Sequence, residues 1–149
     1  MPLFLMLVFT GTFLSILNSS MVNVALPTLM NDLSIDIQSS TLLYSGYMLP
    51  YAIGMSIFGS LGDIYGTKKI FLLGVSIFAL ASFSCSIAGS FWLLMVSRML
   101  QAVGASAVMP NAMILAISPF ELHKRSEILG WWGMISSAGS LIGPTLGDF

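Results

Sequence analysis

Residues 59–69 read GSLGDIYGTKK and place one acid, three glycines and two lysines between two long apolar runs. Only 7% of the 149 residues are charged, so this short stretch concentrates charge that is scarce elsewhere. The apolar runs on either side reach from about Thr41 to Gly59 and from Ile70 to about Ala88. Each comes close to the roughly 20 apolar residues that span a bilayer. A polar, glycine-bearing junction fits a chain that leaves a membrane and turns straight back into it.

The rest of the composition agrees. Hydrophobic residues make up 56% and the mean hydropathy is +0.95. A soluble domain needs about a quarter of its residues charged to solvate its surface; this chain has eleven Lys, Arg, Asp and Glu in all. The expectation is an integral membrane protein. A net charge of −1 gives no reason to expect nucleic acid as a partner. The single Cys85 sits in an apolar run and reads as a packed thiol rather than half of a disulfide or part of a metal cluster. No positively charged segment precedes the first apolar run and no small-residue cleavage site follows it, so it is expected to be a retained helix rather than a signal peptide.

Extended along the chain, the pattern predicts an all-α protein with five transmembrane helices at about 2–26, 41–59, 70–88, 92–117 and 128–149. Pro27, Asp32 and Asp36 mark the first exit into water, Gly89–Phe91 a tight turn, and PFELHKRSE the last polar loop. Lysine and arginine accumulate in short cytoplasmic loops. Lys68 and Lys69 fall in the second loop and Lys124 and Arg125 in the fourth, which predicts a cytoplasmic N-terminus in a multi-pass protein of the cell membrane. The odd helix count and the final GPTLGDF read as a truncated product or a piece of a longer one.

Polar residues inside the runs are the candidates for function. Charge at bilayer depth costs at least about 2.5–3.5 kcal/mol, so it faces a partner or a cavity. Arg98 is the clear case. Gln101 lies about 60° round the helix from it, with Ala102 and Ala105 on the same polar, slim side. Snorkelling of Arg98 to the outer surface is the competing reading. Asn111 is expected about 140° away, in a phase that Pro110 leaves open. In the first run, Ser19 and Asn23 share a face while Asn18 points elsewhere; asparagines here serve equally as helix-to-helix glue or as substrate contacts. In the fifth, Gly139, Gly143 and Gly147 recur every four residues around Pro144, a spacing that lets helices approach backbone to backbone.

Enzyme chemistry finds little to work with. His123 has no second metal ligand nearby, Ser106 has no membrane-embedded base, and there is no phosphate-binding loop of the Walker type.

Several stretches together carry a family resemblance. GSLGDIYGTKK resembles the loop motif G-x-L-a-D-r-x-G-r-k between helices two and three of the major facilitator superfamily. Gly59, Leu61, Asp63, Gly66 and Lys68 match, Gly62 takes the small position, and Ile64 and Thr67 stand where arginines are usual. RMLQAVGAS is similar to the fourth-helix motif R-x-x-q-G-x-g-a-A, with Arg98, Gln101, Gly104 and Ala105 matching and Ala102 and Ser106 departing. GSLIGPTLGD resembles the antiporter motif of helix five at Gly139, Gly143, Pro144 and Gly147, with Asp148 replacing the final glycine. LNSSMVNVALP and YSGYMLPYA are similar to first- and second-helix patterns of the 14-helix drug:proton antiporters, with Asn18 where that group has aspartate.

The resemblance implies the N-terminal helix bundle of a transporter that rocks between two access states. It implies proton-coupled efflux of drugs or other small amphipathic molecules, with the proton gradient as energy source and no cofactor. Asp63 and the glycines around it would belong to the inner gate. Arg98, with Gln101, Asn18 and Asn23, would line the coupling cavity, and the fifth-helix motif would seal the two halves. Asn18 cannot titrate, so this position holds no exchangeable proton. The expected partners are the lipid bilayer, a small-molecule substrate, and the missing transporter half or a second copy. The chain is expected to be inactive alone; the alternative expectation is a small interaction or regulatory protein that pairs with a complete transporter.

Overall fold

The computed structural model describes residues 2–32, 34 and 36–147, without the side chains at 2, 4, 22, 23, 25, 26, 29, 30, 143, 144, 146 and 147. Asn23, Gly143, Pro144 and Gly147 of the expected site, and Asp148, therefore lie outside the described residues or side chains. Five helices follow one another: α1 Pro2–Asp32, α2 Ile37–Tyr65, α3 Thr67–Ser86, α4 Phe91–Ile117 and α5 Leu122–Gly147. There is no strand among the described residues.

Four of the five helices extend past the expected apolar runs into polar sequence, because backbone hydrogen bonds continue until a cap or a glycine stops them. α1 runs through Pro27 to Asp32 instead of ending near residue 26. α2 starts at Ile37 because Asp36 accepts a hydrogen bond from the Ser39 amide at 3.1 Å. Hydrogen bonding from Ser39 also holds the Asp36 carboxyl below its usual range. Ser90 caps α4 in the same way, accepting from the Leu93 amide at 3.4 Å. α5 begins six residues before the expected start, so LHKRSE forms its first turns.

The largest correction falls on the stretch at 59–69. It is not a loop: Gly59–Tyr65 are the last two turns of α2, and Thr67–Lys69 the first turn of α3. The whole junction is Gly66. Its φ of 102° lies where side chains are rarely tolerated, and its amide donates to the Gly62 carbonyl at 3.0 Å.

α4 is the central helix, packed on α3 and α2 and in contact with α1 and α5. Its interior face is lined with small residues, among them Ala102, Gly104, Ala105, Ala107 and Ala112. A Cβ added at Gly104 would sit 2.6 Å from the Phe78 amide nitrogen and 2.9 Å from the Gly74 carbonyl oxygen, so α3 and α4 touch backbone to backbone. Gly54 and Gly62 of α2 make room for Ser106 and Asn111 of α4. α5 lies along α1, where Gly139 faces Ile16 and Phe13, and where the Phe9 and Trp132 rings are 5.9 Å apart. Val8, Phe71, Val108, Ala112 and Ala116 close an apolar core among α1, α3 and α4.

The outer surface carries the large apolar residues, including Leu3, Leu49, Leu80, Trp92 and Leu141. α3 and α4 are each long and apolar enough to cross a membrane, and α1 holds a shorter apolar stretch at Leu5–Met21. The shortest helix, α3, has 20 residues and at 1.5 Å per residue reaches about 30 Å, the depth of a hydrocarbon core.

Gly104→Ala is expected to destabilise the bundle by about 1–3 kcal/mol, because its new methyl meets backbone that cannot yield. Gly130→Ala, where a Cβ meets open space, is expected to be neutral or to stabilise by about 0.5–1 kcal/mol. Thermal unfolding in detergent, followed by tryptophan fluorescence, separates the two; equal losses at both sites would contradict the close approach.

Candidate functional site: a buried arginine relay

Arg98 lies in the first third of α4 and is only 7% exposed. Snorkelling is thereby excluded. Its Nη1 donates to Gln101 Oε1 at 2.6 Å, one helical turn on. With that oxygen taken, Gln101 turns its amide nitrogen outward and donates to Asn18 Oδ1 of α1 at 2.9 Å and to Ser82 Oγ of α3 at 2.8 Å. Tyr47 of α2 completes the group, with the guanidinium carbon 4.8 Å from its ring centroid. One charged side chain thus gathers four helices.

The cation decides the direction of every bond in this chain. Arginine has donors only, so it must face the Gln101 oxygen, and Gln101 then has only donors left to offer. Among the described residues no carboxylate pairs with Arg98. The acids instead sit near helix ends: Asp32, Asp36, Asp63, Glu121 and Glu127.

Two cavities flank the relay. One of about 190 Å³ lies among α1, α2 and α4, lined by Ser15, Ser19, Tyr47, Tyr51, Ala105 and Met109. The other, about 320 Å³, lies between α1 and α3 and is bordered by Leu14, Asn18, Val75, Phe78 and Ser82.

The expected site residues divide into separate places. Arg98, Gln101 and Asn18 meet in the relay. The motif at 59–69 lies elsewhere, because Tyr47 and Tyr65 stand roughly 27 Å apart along α2. There Asp63 is exposed on the last turn of α2, Lys68 is exposed in the first turn of α3, Leu61 is half-buried, and Gly59 packs near Pro110. Gly139 belongs to the α1–α5 contact.

Asn111 acts as a second tie between α4 and α2, the helix whose Tyr47 also meets Arg98. It is fully buried and its Nδ2 donates to the Phe58 carbonyl at 3.1 Å and to Ala107 O at 2.8 Å. Its Oδ1 has no hydrogen-bond partner and faces Gly62. Sequence reasoning missed Ser82 and the role of Tyr47. Ser82 looks like Ser76, Ser84 and Ser86 of the same helix, yet those three donate to their own backbone whereas Ser82 receives Gln101. Nothing local distinguishes it. Tyr47 is the fourth residue of YSGYMLPYA, a signal that was legible but unassigned.

The chain matches the family model of the Major Facilitator Superfamily over residues 8–149. It is 36% identical over 137 residues to the uncharacterized MFS-type transporter Rv1250 of Mycobacterium tuberculosis, covering 92% of this chain and 24% of that protein. Against the riboflavin transporter RibZ of Clostridioides difficile the identity is 33% over 143 residues, 96% of this chain and 31% of the relative. The methylenomycin A resistance protein of Bacillus subtilis is 33% identical over 138 residues, 92% of this chain and 30% of its own length. The chain therefore belongs to the major facilitator superfamily, a family of membrane transporters rather than enzymes. It spans between about a quarter and a third of the length of these relatives.

Gln101→Leu leaves the buried guanidinium without its acceptor and is expected to cost about 2–3 kcal/mol, as for hydrogen bonds to charged groups. Ser82→Ala removes one neutral bond and is expected to cost about 0.6 kcal/mol, the average for such pairs in membranes. Unfolding midpoints in mixed detergent micelles give the ranking; equal effects would show that the relay does not anchor the bundle.

Proposed function

We propose that this chain is the N-terminal part of an efflux transporter that moves small amphipathic molecules out of the cell in exchange for protons, by alternating access. The observation that carries this reading is a buried arginine held by side chains of α1, α2, α3 and α4 beside two cavities. Isolated charge at bilayer depth is too costly to keep for packing alone, and it marks substrate or ion pathways in membrane proteins. Relatives named for resistance to methylenomycin A and for riboflavin transport support a small-molecule substrate.

Proton coupling draws on the resemblance of the fourth- and fifth-helix motifs, with the proton gradient as the only energy source. Asn18 carries no titratable proton, so the exchanging group lies elsewhere in the complete transporter. The α2–α3 junction belongs to the inner gate: Gly66 permits the abrupt reversal, and Gly62, seated against Asn111, holds the end of α2 on α4. The other half of the transporter supplies the bundle against which this one rocks.

The α2–α3 junction with Lys68 and Lys69, and the start of α5 with Lys124 and Arg125, are read as the cytoplasmic face, which puts the N-terminus inside. In a Cys85→Ser background, Lys69→Cys is expected to react with a membrane-impermeant maleimide only after cells are opened, and Ser34→Cys in intact cells. The reverse pattern would invert the topology.

Cells expressing this chain alone are expected to retain both ethidium, a cation, and carboxyfluorescein, an anion, as control cells do. Clear export by the chain on its own would overturn the view that the second half is required.

A further inference from the structure

Pro50 stands midway along the 29 residues of α2. It has no N–H to give the Gly46 carbonyl one turn back, and its ring crowds that carbonyl, so the helix lacks a hydrogen bond here and bends easily. The halves on either side of it meet α4 in different ways.

The second half, residues 51–65, is interlocked with α4. A Cβ added at Gly54 would collide with the Ser106 hydroxyl oxygen, and one at Gly62 with Asn111 Oδ1. Neither side chain is free to turn away. Both are fully buried; Ser106 Oγ donates to the Val103 carbonyl at 2.7 Å, and Asn111 Nδ2 donates to the Ala107 and Phe58 carbonyls. The first half, residues 37–49, rests on the ends of long side chains. The Met95 methyl lies 3.1 Å from where a Cβ of Gly46 would stand, and the Tyr47 ring lies over the Arg98 guanidinium. A thioether chain re-packs readily, and a ring over a guanidinium is held by attraction rather than by shape.

We propose that α2 bends at Pro50: the second half stays locked on α4 while the first half tilts, lifting Tyr47 off Arg98 and away from Tyr51, on which it stacks at 5.9 Å. The first half of α2 is then a latch over the relay, closed by one cation–π contact. Its purpose rests on the alternating-access reading, in which an arginine covered in one state and bared in another is engaged in turn. The bend adds a motion inside this bundle to the rocking of the bundle as a whole.

Spin labels on the purified chain in lipid nanodiscs, in a Cys85→Ser background, test this. Leu42→Cys paired with Phe83→Cys reports the first half, and Ile57→Cys paired with Leu73→Cys the second; all four residues are exposed. The first pair is expected to show a major and a minor distance, the second pair one distance. Pro50→Ala is expected to leave the first pair with the major distance only. Tyr47→Leu keeps the proline and removes the cation–π contact, and is expected to raise the ratio of minor to major about 5- to 30-fold. Phenylglyoxal modification, read by mass spectrometry with Arg125 as internal reference, is expected to follow: slower at Arg98 in Pro50→Ala and faster in Tyr47→Leu.

A single distance for the first pair in both the unmodified chain and Tyr47→Leu would overturn the proposal. So would a minor distance that persists in Pro50→Ala, a second pair that splits as the first does, or Arg98 reactivity that neither substitution changes. Both readouts work without transport, so a bend found where the complete transporter exports nothing would count against the export reading alone.

Discussion

The bundle depends on α3 and α4 meeting without side chains between them. At Gly74 and Gly104 there is no space for a methyl on either helix. In lipid, apolar side chains gain little by leaving the tails for one another, so helices associate through close backbone contact and polar ties. Glycines and alanines on α4 supply the first; Arg98, Gln101 and Asn111 supply the second. Many of the large apolar residues accordingly lie outside, and the buried face of α4 is made mostly of small and polar residues.

From that contact follows the geometry of the relay. Because α3 can come so near, Ser82 lies within 2.8 Å of Gln101, and α1, held by α5 on its other side, brings Asn18 to 2.9 Å. The arginine then fixes the polarity of each bond. Its burial is a cost, offset by a strong bond to Gln101 and by the Tyr47 ring; the uncompensated charge is the part of the structure that points beyond stability.

The glycine-rich stretch at 59–69 illustrates how far a pattern can be followed. Its place at a membrane face was legible, because charge and glycine end an apolar run. Its form was not. A run of Gly, Ser, Leu, Gly, Asp, Ile and Tyr is a poor helix by composition, yet it completes α2, since packing against α4 outweighs propensity. Gly62 therefore serves close packing, and Gly66 serves the turn.

The sequence by itself determined the class, the number and order of the helices, and the identity of the relay's donors on α4, because apolar run length and helical spacing are local properties. It did not determine where each helix stops, since caps such as Asp36 and Ser90 lie outside the apolar signal. Nor could it say which serine of α3 or which asparagine of α1 receives Gln101. Those choices depend on which faces of separate helices come together, a distance across space that no spacing along one chain encodes.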